Sequence, residues 1–400
     1  MELELLGVDR DVRGARAAVD APVVAAQTAA SAAVVTRVPA QRLRSLDAFR
    51  GLTIVAMILV NNPGTWSDVY APMRHAAWNG CTPTDLIFPF FLFIIGVAIA
   101  FSFDQRRGRG AGRADLLASI ARRTVLIFAL GIFLNGFPLF DWSVLRIPGV
   151  LQRVALCYCA ASLVALALGV HGQCVSALLL VVGYWAVTAL APGDGLTPET
   201  TLAARVDDAL LHAHLLHDGW DPEGVLSSFP AVATTLVGVL AGHWLRSSRD
   251  AAERVAGLAL VGGTLTMLGV LINRWCPINK SLWSAAYVVF TAGVALSGLA
   301  LCYWLIDVRG YRRWATPFVI YGMNPIVAYV LSTLVAKEML LWRVARADGS
   351  TLDLQRYLFE TIFLPLARPT NASLLYAVAY VLVWLGVAVL LYRNRVLIKI

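Results

Sequence analysis

Charged residues are scarce in this sequence: Asp, Glu, Lys and Arg make up 14% of 400 residues, against about 25% in an ordinary soluble domain. Together with 58% hydrophobic residues and a mean hydropathy of +0.69, that shortage excludes a water-soluble domain of average make-up. Sulfur and imidazole are sparse as well, with six Cys and six His. Cys157, Cys159, Cys174 and Cys302 fall in or beside apolar segments, as small packing residues do. Cys157 and Cys159 are spaced C-x-C inside an apolar helix, so they point to different faces and do not resemble a metal pair. His212, His214 and His217 form H-x-H-x-x-H, yet no Cys accompanies them and their setting is rich in Ala and Leu, so no metal is expected. Residues 1–43 lack the uninterrupted apolar core of a signal peptide. No nucleic-acid motif accompanies the +8 net charge, no zipper pattern is visible, and residues 45–200 do not repeat in 225–395 as the halves of many transporters do.

What the chain has is long apolar runs. A helical span needs about 20 mostly apolar residues, and such runs fall at 45–62, 83–103, 116–135, 148–169, 174–191, 225–245, 254–272, 283–306, 315–336 and 374–392. The expected fold is therefore an all-α polytopic transmembrane helical bundle of about ten spans. Lys and Arg concentrate at cytoplasmic helix ends. With both termini cytoplasmic, Arg42 and Arg44, the loop with Arg106, Arg107, Arg109 and Arg113, the cluster Arg246, Arg249 and Arg254, and the cluster Arg309, Arg312 and Arg313 all lie inside. Residues 1–43 are expected to be a tail without stable structure, and 44–400 the membrane domain. The long loops 61–82, 192–224 and 337–373 become external, where Cys81 and Cys276 can meet in a disulfide.

The first external loop carries the most chemistry. It reads NNPGTWSDVYAPMRHAAWNGCTPTD and contains His75, the only His before position 171. An imidazole titrating near neutrality suits a general base and can also carry an acyl group. Asp85 can orient His75, bind a cationic substrate or pair with Arg74. Asn61 closes the preceding helix, either as a plain terminator or as an active-site amide. Eleven residues earlier, about 16 Å along the helix, Arg50 either pairs with Asp47 as an interfacial anchor or faces an anionic ligand such as a phosphate.

RLRSLDAFRG, VNN, RHAAWNG and TDLIFPFFLFIIGVAI, followed by RIPGVLQR (146–153), WDPEGVLSS (220–228), INKSLWS (278–284) and YGMNPIVAY (321–329), closely resemble the heparan-α-glucosaminide N-acetyltransferase family of multi-span membrane acyltransferases. The resemblance covers nearly everything after residue 43, in order and at similar spacing. It implies transfer of an acetyl group from cytosolic acetyl-CoA, as co-substrate, to the amino group of a glucosamine across the membrane. It also implies that His75 is the catalytic residue and Asn61 its companion. A short tail in place of the extra lumenal domain and span of lysosomal members resembles the bacterial branch, which places the chain in an inner membrane with His75 facing the periplasm.

Acyl transfer from a thioester requires an anchor for the CoA phosphates, a base for the amine and donors for the oxyanion. The donor-binding candidates are Arg50, Gln152, Arg153, Arg312 and Arg313. The acceptor-binding candidates are Trp78, Asn79, Asp85, Asp221, Glu223 and Asn324. For Asp221 and Glu223, capping of the following helix is the competing role; for Asn324, satisfying backbone groups at a kink beside Pro325 is. The expected partners are acetyl-CoA, an amino-sugar or glycan acceptor and lipid, with a homodimer open. The competing reading is an amino-sugar transporter without acyl transfer.

Overall fold

The computed structural model describes residues 43–191, 197–346 and 349–398, and the tail expected at 1–43 lies, but for Leu43, outside them. The described residues form one compact unit. Its α-helices are, in chain order, α1 (Arg44–Asn61), α2 (Ile87–Arg107), α3 (Arg113–Gly136), α4 (Val150–Ala167), α5 (Val170–Ala189), α6 (Leu202–Leu211), α7 (Ser228–Leu245), α8 (Ala251–Ile272), α9 (Ala285–Cys302), α10 (Thr316–Met323), α11 (Pro325–Leu341), α12 (Leu354–Leu358) and α13 (Pro369–Arg393). Between α11 and α12 a short antiparallel hairpin pairs β1 (Arg343–Ala345) with β2 (Thr351–Asp353), Val344 opposite Leu352.

Among the described residues eight helical segments are long and apolar enough to cross a membrane, and α10 with α11 make a ninth that bends by 83° at Asn324. The remaining expected span is α1, which carries Arg44, Asp47 and Arg50 in its first two turns. All ten expected spans are therefore helical. Their connections alternate between two ends of the bundle: the His75 end holds the loops after α1, α3, α5, α8 and α11, and the Arg50 end holds those after α2, α4, α7, α9 and α13.

Close backbone approach sets the packing at the centre. A Cβ on Gly51 of α1 would lie 1.7 Å from the Phe318 carbonyl oxygen, and one on Gly322 of α10 would lie 1.9 Å from the Asp47 oxygen. α2 and α7 repeat the device, with Gly96 at 1.9 Å from the Thr235 oxygen and Gly238 at 2.0 Å from the Phe93 oxygen. Small residues let apolar helices approach where lipid offers no hydrophobic drive for association. α7 is accordingly central, with 72% of its apolar window buried, whereas α5 and α8 bury 17% each and lie at the periphery.

The Asn324 side chain is engaged with backbone rather than open to a ligand. Its Nδ2 donates to the Val396 carbonyl at 2.9 Å, and its Oδ1 accepts from the Ile398 N–H at 3.0 Å. The side-chain amide is thus given over to the segment following α13, at the Arg50 end, while Pro325 opens α11 from the first helical position, where a missing N–H costs nothing.

Gly238→Ala is expected to destabilise the protein by about 1–3 kcal/mol, read as a lower melting temperature in detergent. Gly263→Ala, at a position with open space around it, is expected to leave that temperature unchanged or raise it.

Candidate active site

The loop between α1 and α2 is folded around one carboxylate. Asp85 lies in a 3₁₀ turn (Pro83–Leu86) that leads into α2. Its Oδ2 accepts the backbone N–H groups of Ala76 and Thr82, each at 3.0 Å, and its Oδ1 lies 2.6 Å from His75 Nδ1. The Tyr287 hydroxyl of α9 donates to the Asp85 carbonyl at 2.6 Å. An ionised carboxylate can only accept, so the proton of the neutral imidazole sits on Nδ1 and Nε2 offers its lone pair. The His75 side chain is 52% exposed, that of Asp85 only 1%. Asp85 is thus buried against His75, and Arg74 turns away to donate to the Ser67 carbonyl at 2.8 Å.

A second cation stands against the imidazole. Lys280 Nζ lies 3.0 Å from His75 Nδ1, 3.3 Å from Nε2 and 3.7 Å from Asp85 Oδ1. Burial pushes the Lys280 pKa below its usual value, against the pull of Glu223 and Asp85. The sequence held a sign of this residue: the chain has 33 Lys and Arg, and only Lys280, Lys337 and Lys399 are lysines.

His75, Asn61, Glu223 and Lys280 line a central cavity of about 140 Å³, with Phe88, Phe91 and Tyr329. Phe91 also lines an apolar cavity of about 250 Å³ toward the Arg50 end, which contains Arg50, Arg123, Pro325 and Ile398. Arg123 was not apparent from sequence; its Nε is buried without a hydrogen-bond partner. Asn61 and Tyr329 also line a wide cleft of about 760 Å³ at the His75 end, together with Trp66, Asp68, Gln355 and Glu360. Three spaces thus follow one another through the bundle, each sharing wall residues with the next.

Other expected site residues are placed elsewhere. Arg153 is enclosed in the core at the His75 end, over the Trp283 ring at 5.1 Å, donating to the Gly224 carbonyl and the Ser227 hydroxyl. Gln152 is buried beside it, against Gly131 and Gly149. Arg312 and Arg313 are exposed at the opposite end, so these four do not form one donor site. Arg50 donates to Asp47 at 3.2 Å and to the Gly322 carbonyl at 3.1 Å, so the anchoring pair forms while the residue also lines the apolar cavity. Trp78 packs edge-on against Trp220, and Asn79 accepts from Asn279 and lines a separate cleft. Cys81 and Cys276 are both free thiols, and burial pushes that of Cys81 up to about 12. His212 meets Asp208, His214 meets the Leu145 carbonyl, and His217 stacks on Trp220.

Asp221 and Glu223 share a partner that was missed from sequence. Arg146 donates from Nε and Nη2 to Asp221 at 2.8 and 2.6 Å, and from Nη2 to Glu223 at 2.5 Å. Asp221 is thereby a buried structural carboxylate, while Glu223 reaches the central cavity.

The family model for the catalytic region of heparan-alpha-glucosaminide N-acetyltransferase matches residues 42–275, more than half of the chain. The chain belongs to this family. Among curated members, human heparan-alpha-glucosaminide N-acetyltransferase is 31% identical over an alignment covering 72% of this chain and 52% of its own length. The mouse protein of the same name is 30% identical, with 74% and 54% covered. The chain spans about half the length of these family members. Its apolar helices and the family together make it an integral membrane protein. Asn61, His75, Asp85, Arg146 and Glu223 fall within the family match, and Lys280 and Tyr329 lie beyond it.

The loop carrying Glu223 is tied down by another carboxylate, Asp207, which accepts the Val225 N–H at 2.7 Å and fills the space where a side chain on Gly224 would go. Burial raises the Asp207 pKa to about 6, above the unfolded value of about 3.9. The native state therefore binds the extra proton, and the stability this confers is full below about pH 4 and lost as pH rises through 6. Asp207→Asn is expected to melt like the parent at pH 4 and to be more stable at pH 8, by at most about 2–3 kcal/mol, as measured by thermal unfolding in detergent.

Proposed function

We propose that the chain moves the acetyl group of acetyl-CoA from the Arg50 side of the membrane to the amino group of a glucosamine-type sugar on the His75 side. The observation that carries this reading is the succession of spaces: an apolar cavity with two arginines, a small chamber with His75, Asn61 and Lys280, and a wide polar cleft, joined through Phe91, Asn61 and Tyr329. Arg50 and Arg123 suit the donor's phosphates, because a guanidinium fork matches phosphate oxygens. The apolar walls between them and His75 suit an extended pantetheine arm, whose reach is comparable with the about 16 Å from Arg50 to Asn61. The wide cleft suits a sugar, with Trp66 as a stacking face.

The residues divide the chemistry among themselves. His75 Nε2 takes the proton of the attacking amine as the C–N bond forms, and returns it to the departing CoA sulfur as the C–S bond breaks. Asp85 holds the Nδ1 tautomer throughout and stabilises the imidazolium that exists between the two transfers. The Asn61 amide, in the wall shared by chamber and cleft, offers hydrogen bonds to the tetrahedral oxyanion. Direct transfer needs only these groups, whereas a ping-pong route would leave a labelled acetyl on His75 after exposure to acetyl-CoA alone.

In liposomes with acetyl-CoA on one side and glucosamine on the other, the chain is expected to release CoA thiol and form N-acetylglucosamine. His75→Ala is expected to lower the rate by about 10²–10⁴-fold. Sugar flux without CoA release would instead establish a transporter.

A further inference from the structure

Lys280 sits on a loop built to hold it still. Asn279, buried, takes the Leu282 N–H on its side-chain oxygen at 2.9 Å and donates from Nδ2 to Asn79 at 3.2 Å. Ser284 accepts the Asn279 N–H at 3.1 Å and donates to the Pro277 carbonyl at 2.7 Å. Trp283, with a positive φ of 52°, is fully buried beneath Arg153. From this bracket the Lys280 ammonium reaches His75, while Glu223 lines the same chamber.

The imidazole consequently stands between charges of opposite sign. Asp85, from the turn before α2, stabilises the imidazolium; Lys280, from the loop before α9, opposes it at 3.0 Å. Glu223, from the loop before α7, lines the chamber and acts on Lys280, as does Arg153 of α4. Arg74 is directed to Ser67, the Tyr287 hydroxyl is a neutral donor to Asp85, and the Cys81 thiol stays protonated. A His paired with a buried carboxylate alone would favour its charged form, which has no lone pair to accept a proton.

We infer that Lys280 is a positioning residue that offsets Asp85, keeping His75 neutral so that it can act as a base. This inference rests on the acetyl-transfer reading for its purpose, though not for its test. Diethyl pyrocarbonate modifies only the unprotonated imidazole, so the pH dependence of His75 modification, followed peptide by peptide in the purified full chain, reports its protonation without any turnover. Lys280→Met is expected to move the midpoint up by about one pH unit or more, slowing modification about tenfold on the acid side. Lys280→Arg is expected to retain the original midpoint, and Asp85→Asn to move it down. Where activity is present, the acid limb of CoA release in Lys280→Met is expected to move with the midpoint, with the acetyl-CoA KM unchanged.

A midpoint in Lys280→Met equal to the parent's overturns the inference, and Lys280→Gln gives the same decision if the Met variant does not yield a monodisperse protein. A moved midpoint without CoA release in any form of the chain leaves Lys280's role standing and removes acetyl transfer. CoA release with an unmoved midpoint does the reverse.

Discussion

The Asp85 carboxylate is the point on which the His75 end of the molecule depends. It is nearly inaccessible to water, and its contacts draw two stretches of chain together: His75, Ala76 and Thr82 from its own loop, and Lys280 from a segment some two hundred positions away. Hydrogen bonds to a buried charge contribute about 1.5–3 kcal/mol each, more than neutral ones. Without these partners a charge so placed would be too costly to bury. The same set of bonds that closes the loop therefore fixes the tautomer of its histidine, so that folding and chemical readiness are one event here.

Around that point the bundle separates two kinds of polar group. Arg146 with Asp221 and Glu223, Arg153 over Trp283, and Asp207 under the 220s loop hold the loops of the His75 end in place. Within the chamber and the cavity below it the polar set is small: Asn61, His75, Lys280 and Glu223 in the chamber, and Arg50 and Arg123 below. Reading polar residues in an apolar chain as functional by default is thus right in direction, yet buried ion pairs that brace loops satisfy the same pattern.

The legibility of this chain in its sequence follows the range of the interactions concerned. Helix positions were readable because each span is a mostly apolar run and needs no knowledge of its neighbours; α1 was readable despite its charged first turns because the run continues to Asn61. His75 and Asn61 stood out for a similar reason, being polar groups at the ends of adjacent spans. The Asp85–His75 contact was within reach as one of several options, since only ten positions separate the two. Lys280 was not, because nothing local in INKSLWS says which loop it faces. The contacts of Arg153 and Asn324 were out of reach on the same ground: their partners, Gly224 and Ser227 in one case and Val396 and Ile398 in the other, are about seventy positions away.

The chamber between the two larger spaces is small, about 140 Å³, and Phe88, Phe91 and Ile87 form part of its wall. Water occupies about 30 Å³ per molecule in the liquid, so such a waist holds a handful of molecules between aromatic walls and the polar groups of Asn61, His75, Glu223 and Lys280. The smallest of the three spaces is thus the one in which the reactive groups sit, which leaves room there for little more than the reacting atoms.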